Sequence, residues 1–283
     1  MGQRLKIGSL CTGYGGLDLA VEAYFGAETV WCAEIDKHAS QVIKERFNIP
    51  NHGNIKEIDW AFLEPIDILT AGYPCQPFSH AGYRKGIDDE RHIFPYILEA
   101  ISILRPRWVI LENVRGHLSL GLKEVLAGLT SIGYDAKWQV VRASDVGAPH
   151  QRARIFIIAY PNDIRQNRWI DSRHQEKQPW IEGNEISTSN SISELKPSNE
   201  TMQKMGRKFT ARCDMHLQDI PNALDQQEKL NPIFVEYMMG LPKGWVTETG
   251  LSRAQQLKML GNGVVPQQAE LALELLLTRH TQD

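Results

Sequence analysis

An apolar strand from Leu5 to Leu10 runs directly into the turn Cys11-Thr12-Gly13-Tyr14-Gly15-Gly16, and a helical pattern follows from Leu17 to Phe25. This unit constrains the fold more than any other stretch, because a strand leaving through such a turn into a helix begins a strand–helix crossover. The alternation then continues. Thr29 to Ala33 reads as a strand ending at Glu34, Lys37 to Phe47 as a helix, and Ile66 to Ala71 as a strand stopped by Gly72-Tyr73-Pro74. His92 to Leu104 reads as a helix ended by Arg105-Pro106, and Trp108 to Leu111 as a strand ending at Glu112. Strands alternating with helices predict an α/β architecture, Rossmann-like, with a mostly parallel twisted sheet between helices. In such sheets ligands bind beyond the carboxyl ends of the strands. The glycine turn, Glu34, Pro74-Cys75 and Glu112-Asn113 all fall at those ends.

The 283 residues suffice for one large domain plus a small one. The sequence divides into an α/β part over 1–160, a polar region over 161–230 rich in Asn, Ser, Gln and Glu, and a segment over 231–283 where ordered character resumes. Within the middle region Lys204, Arg207, Lys208 and Arg212 form a basic cluster suited to phosphate or base contacts. No apolar run approaches the ~20 residues a membrane span needs, and the first residues do not read as a signal peptide. Four scattered cysteines predict neither a disulfide framework nor a metal site, so a reducing cytoplasm is the expected location. A net charge of −3 speaks against a uniformly basic nucleic-acid binder. Between Ser102 and Arg154, however, eight Lys/Arg face four acids, and a local positive cleft can exist on an acidic protein.

The glycine turn lets backbone approach a ligand and leads to a helix N-terminus, while Glu34 can hold ribose hydroxyls. The turn alone does not separate a nicotinamide dinucleotide from S-adenosylmethionine. Asp18 stands where the dinucleotide pattern has its third glycine, which tilts the balance away from a dinucleotide. In Gly72-Tyr73-Pro74-Cys75-Gln76-Pro77-Phe78-Ser79, two prolines flank a cysteine at a strand end. Such a stiff, exposed turn suits a nucleophile, although an isolated free cysteine is more often a buried structural one. The context favours the nucleophile. Glu112 follows the next strand, and Arg152-Ala153-Arg154 precedes the strand Ile155 to Ala159. Two arginines two apart on an extended segment are expected to face the same side. A thiol, a carboxylate and a guanidinium can together engage a planar heterocycle.

These segments resemble the DNA cytosine-5 methyltransferases. The likeness runs in order through Cys11 to Gly16, Glu34-Ile35-Asp36, Gly53-Asn54-Ile55, Asp67 to Ser79, Arg91 to Phe94, Glu112-Asn113-Val114, Pro149 to Phe156, Asn231 to Pro242 and Leu260 to Val265. The resemblance implies that Cys75 adds to carbon 6 of a flipped-out cytosine, Glu112 contacts ring nitrogen 3, Arg154 holds the carbonyl oxygen and Arg152 supports the site. It implies S-adenosylmethionine as methyl donor, at Gly13, Gly15, Gly16, Glu34, Ile35, Asn54 and Asn262, with Cys11, Tyr14, Leu17, Ile55, Pro74 and Gly263 beside them. Gln76, Phe78, Ser79 and Asn113 complete the substrate side. The resemblance makes 1–160 the catalytic and cofactor-binding domain, 161–230 the target-recognition region and 231–283 a segment returning to the first domain; double-stranded DNA is the implied partner, a restriction endonuclease a functional pairing, and a monomer the expected state. Three departures concern the adenine pocket: Cys11 and Ile35 stand where the family has aromatic rings, and Asn54 where it has Asp. His150 replaces a frequent Gln. The nearest rival is an RNA cytosine methyltransferase, but the Cys-Phe-Thr signature of its tRNA-modifying members is absent. An NAD-linked oxidoreductase would explain the glycine turn and Glu34 but not Pro74-Cys75-Gln76.

Overall fold

A computed structural model describes residues 4–74, 93–162 and 220–277. Cys75, Gln76, Phe78, Ser79 and the basic cluster from Lys204 to Arg212 therefore lie outside the described residues. Among those described, six strands form one sheet in the order β2-β1-β3-β4-β6-β5. They are β1 Lys6–Leu10, β2 Glu28–Ala33, β3 Ile68–Gly72, β4 Trp108–Val114, β5 Tyr134–Val141 and β6 Arg154–Pro161. β1 pairs in parallel with β2 and β3, and β3 with β4. β6 runs antiparallel between β4 and β5. The sheet is mostly parallel, as the alternation predicts, with a single reversed strand.

Helices α1 Gly16–Phe25, α2 Lys37–Arg46, α3 Phe94–Leu104, α4 Leu122–Ser131, α5 Pro232–Met238, α6 Arg253–Asn262 and α7 Pro266–Leu277 accompany it. Local chemistry sets their starts. The Asp36 carboxylate accepts from the His38 and Ala39 amides at the head of α2. Ser252 and Gln255 form a reciprocal capping box on α6. Pro266 opens α7, where its missing N–H costs nothing.

The central strands are continuous apolar runs because both faces are covered. Ile110, Phe156 and Ile158 join a core with Leu17, Val21, Leu271 and Ala272. Their neighbours Val109, Leu111, Ile155 and Ile157 face the opposite way, onto Ile97, Ile101, Val125 and Leu129. α7 is almost wholly buried and packs on α1 and β5. The described part of the last segment thus lies against the sheet. Before α6, Glu236 accepts from the amides of Gly244, Val246 and Thr247 and from the Thr247 hydroxyl. This pins a loop whose Trp245 indole N–H donates to the Tyr14 carbonyl at 2.8 Å.

Candidate active site

The carboxyl ends of β1, β2 and β3 are level: Leu10 pairs with Ala33 on one side and Ala71 on the other. Gly72 pairs in turn with Glu112. The chain winds outward from β1 in one direction and from β3 in the other, so the crevice of this fold opens between them. Of the residues expected at strand ends, the glycine turn, Glu34, Pro74 and Glu112-Asn113 are described and stand at this edge of the sheet.

The turn after β1 holds three residues in the left-handed region: Cys11 (φ 52°), Gly13 (φ 59°) and Gly15 (φ 83°). Glycine meets this demand without strain. The Cys11 N–H donates to the Ala33 carbonyl at 2.9 Å, and burial pushes its thiol up to about 12. Among the described residues beyond its two chain neighbours, no heavy atom lies within 4 Å of where a Cβ at position 13 would stand, so that backbone faces open space. Glu34 frames the space from β2. Its Oε2 accepts from the Gly13 N–H at 2.9 Å and its Oε1 from the Asp36 N–H at 2.8 Å. Burial raises its pKa. Each oxygen retains a lone pair for a hydroxyl donor. Ile35, next in sequence, is 74% exposed.

Asn54 caps a short 3-10 turn, accepting from the Lys56 N–H at 3.2 Å and donating to Glu57 at 2.6 Å. Its carbonyl keeps one acceptor position. Ile55 is buried. Tyr14 and Leu17 turn their side chains into the core. Any ligand contact they make would come from the backbone. The Tyr14 hydroxyl donates to the Val264 carbonyl at 2.7 Å. A Cβ on Gly263 would stand 1.9 Å from the Tyr14 ring, so glycine is required where α6 hands over to α7. Gly263 therefore meets the glycine turn through this handover, and Asn262 ends α6 just before it. Beneath the turn lies Asp18, which accepts from Ser9 Oγ at 2.9 Å and Thr70 Oγ1 at 2.5 Å. The residue that breaks the dinucleotide pattern thus ties α1 to β1 and β3.

At the mouth of β4, Glu112 is 7% exposed and its Oε1 lies 3.0 Å from Arg154 Nε. Burial pushes its carboxyl up to about 7, while Arg154 and then Arg152 oppose the rise. The pairing depends on the reversed strand, because Arg154 at the start of β6 sits opposite Val114 at the end of β4. Asn113 is buried, and its amide donates to the Tyr73 carbonyl at 3.2 Å. It thereby braces the residue before Pro74. The Tyr73 hydroxyl meets His117 Nε2 at 3.0 Å, and burial lowers the His117 pKa. His150 donates from Nε2 to the Met238 carbonyl at 2.9 Å.

Arg152 departs from expectation. Its φ is 33°, so the segment is not extended there and the two-residue period does not apply. Its Nη2 donates to the carbonyls of Gly261 at 2.8 Å and Gly263 at 2.7 Å, while Arg154 turns to Glu112. Both arginines still act electrostatically on that carboxylate. Sequence reasoning also missed His117 and Gln268 as parts of the site's frame. The available signals were an isolated His after a strand end and a Gln-Gln pair at the head of the closing helix.

Residues 5–216 match the family model described as C-5 cytosine-specific DNA methylase. The Type II methyltransferase M.Bsp6I of Bacillus sp. (strain RFL6) is 39% identical over 169 residues, covering 56% of this chain and 53% of that one. The Type II methyltransferase M.HhaI of Haemophilus parahaemolyticus is 34% identical over 165 residues, covering 56% and 50%. The chain therefore matches about half the length of these curated relatives. In fold it is similar to a mutant Spodoptera frugiperda DNMT2, at a TM-score of 0.62 and 19% identity, over 96% of this chain and 99% of that one. A glycine turn, a buried carboxylate and its arginine stand at the level strand ends, within a family match that spans most of the sequence. The chain belongs to the C-5 cytosine-specific DNA methylase family.

Proposed function

We propose that the protein transfers a methyl group from S-adenosylmethionine to carbon 5 of cytosine in double-stranded DNA. The observation that carries this reading is the Glu112–Arg154 pair, buried at the strand mouth and 3.0 Å apart. It offers an acid and a guanidinium fork on adjacent strands. The residues present also fit the donor. Space is open over Gly13, the Glu34 carboxylate faces the turn, and Asn54 keeps an acceptor position. S-adenosylmethionine, when bound, supplies an electrophilic methyl group on a sulfonium.

The protein's own groups would act as follows. The target base leaves the stack, since its reacting carbon is out of reach in a duplex. The thiolate of Cys75, two residues beyond the braced Tyr73, forms a bond to carbon 6. Glu112, with a carboxyl titrating at about 7, gives its proton to ring nitrogen 3 as the thiolate adds. Arg154 holds the carbonyl oxygen. The electron pair released onto carbon 5 then forms the new carbon–methyl bond as the methyl–sulfur bond of the donor breaks, its electron pair staying on sulfur as a thioether. Loss of the carbon 5 proton to a base expels the thiolate, and nitrogen 3 returns its proton to Glu112.

We place sequence choice in residues 161–230, and pairing with a restriction endonuclease accords with the names of the relatives. Among the described residues no helix is long and apolar enough to cross a membrane. The test is transfer of labelled methyl to mixed-sequence duplex DNA, with structured RNA in parallel and bisulfite sequencing of the product. Methylated cytosine in one short DNA context is expected. Label on RNA alone would overturn the DNA assignment, and label on neither from folded, cofactor-binding protein would overturn the activity.

A further inference from the structure

Helix α7 is almost wholly buried, and its first turn carries Gln268 at 0% exposure beside an equally buried Gln267. The Gln268 amide spends both hydrogens on main-chain carbonyls, Val141 at 2.7 Å and Arg152 at 2.8 Å. These two carbonyls flank one spot. Val141 ends β5 and pairs with Arg154, the first residue of β6. Arg152, two residues earlier, has the left-handed φ of 33°, a conformation that a residue with a side chain keeps only when its surroundings impose it. Three contacts impose it here: Gln268 on its carbonyl, and the Gly261 and Gly263 carbonyls on its guanidinium.

An apolar side chain of the same length would fill this part of α7 without burying an amide. Among the described residues the Gln268 Oε1 is buried without a hydrogen-bond partner, so glutamine carries an acceptor cost there beside its two donated bonds. We infer that Gln268 is a positioning residue for the site: through the Arg152 carbonyl it sets the backbone that aims Arg154 at Glu112. This rests on the proposed methyl transfer for its functional meaning, but the geometry can be read without turnover.

The test compares wild type with Gln268→Met, which keeps length and loses both donors. The first readout is the carboxyl titration of Glu112 by carbon NMR of labelled glutamate, assigned by loss of the signal in Glu112→Gln. The cations that hold the Glu112 carboxyl down are Arg154 and Arg152. Misplacing them should move its midpoint upward from about 7, by on the order of one pH unit. The second readout is DNA methyl transfer. The kcat should fall about tenfold or more with KM for S-adenosylmethionine unchanged, and the alkaline limb of the rate should move up with the titration. In Arg154→Ala, which removes the guanidinium that Gln268 aims at Glu112, adding Gln268→Met should change neither readout further. Gln268→Asn, too short to reach both carbonyls, should move both in the same direction and serves if the Met variant does not fold.

An unmoved Glu112 titration with kcat within about twofold of wild type overturns the inference. So does a loss of stability with the titration unmoved, or an additive effect in the double variant. Wild-type protein that transfers no methyl to DNA would instead sink the proposed reaction, leaving the positioning role to be decided by the titration.

Discussion

Asp18→Asn should stabilise the protein, but only at higher pH. Asp18 is 1% exposed, and its carboxylate accepts from the hydroxyls of Ser9 and Thr70. Burial pushes its pKa up from 3.8 to about 6, with the two hydroxyls pulling the other way. A folded pKa above the unfolded one means that the native state binds the extra proton. Stability is therefore complete below about pH 4, falls as pH rises through the interval, and stays reduced above about pH 6. The rise from 3.8 to about 6 is worth about 3 kcal/mol. Asparagine is the same size and carries no charge. Its carbonyl can accept from one hydroxyl, and the other hydroxyl can rotate to accept from its amide. Loss of the charge-assisted bonds offsets on the order of 1 kcal/mol. The net gain expected at pH 8 is about 2 kcal/mol, with little or none at pH 4.5. Urea unfolding of both proteins at the two pH values measures it. With an m value of about 3 kcal/mol/M the midpoint should rise by about 0.7 M at pH 8. An equal midpoint difference at both pH values would show that Asp18 is not the titrating group, and a destabilised variant at pH 8 would refute the burial argument.

Other substitutions separate the roles assigned above. Cys75→Ser should abolish methyl transfer while calorimetric binding of S-adenosylmethionine stays within about twofold, because the nucleophile is not a cofactor contact; retained activity would exclude the covalent route. Glu112→Gln should cut kcat/KM by about 10²–10⁴. Wild-type kcat/KM should decline as pH rises through about 7, where Glu112 loses its proton, and that limb should vanish in the variant. Ile35→Trp should tighten S-adenosylmethionine binding by about 2–10-fold, since the exposed isoleucine gives up an aromatic stack worth about 0.5–1.5 kcal/mol; unchanged affinity would move the adenine elsewhere. Tyr14→Phe should lower stability by about 1–3 kcal/mol in a denaturant melt, because it leaves the buried Val264 carbonyl without its donor.

The legible parts of this fold are those that neighbours in sequence decide. The strand, turn and helix from Leu5 to Phe25 need only a glycine-bearing turn between apolar runs, and β3 and β4 announce themselves because both faces are buried. β5 does not. It lies at the sheet edge, its Lys137 and Trp138 face outward, and its pattern resembles neither a buried strand nor an amphipathic helix. α4 and α6 also went unread; their apolar faces are short and defined by partners far along the chain. The same divide runs through the site. Glu112 at a strand end and Arg154 at a strand start were each visible, but Gln268 meets Arg152 across 116 residues and Tyr73 meets His117 across 44. Such bonds exist only once the sheet order is set.

Strand direction is the least legible property and the one on which the site depends. A carboxylate after one strand and an arginine before another belong to opposite edges of a parallel sheet. Had β6 run parallel to β4, its first residue would lie a full strand away, about 20 Å for the seven residues of β4, and Glu112 would be buried without its cation. Reversing β6 brings its start beside the end of β4, so that Arg154 stands opposite Val114 and reaches Glu112 at 3.0 Å. The reversal then has to be held at its entry, where the chain leaves β5 at Val141 and passes through the left-handed Arg152. That entry is where α7 places the Gln268 amide. The last helix thereby secures the strand reversal that pairs acid with guanidinium.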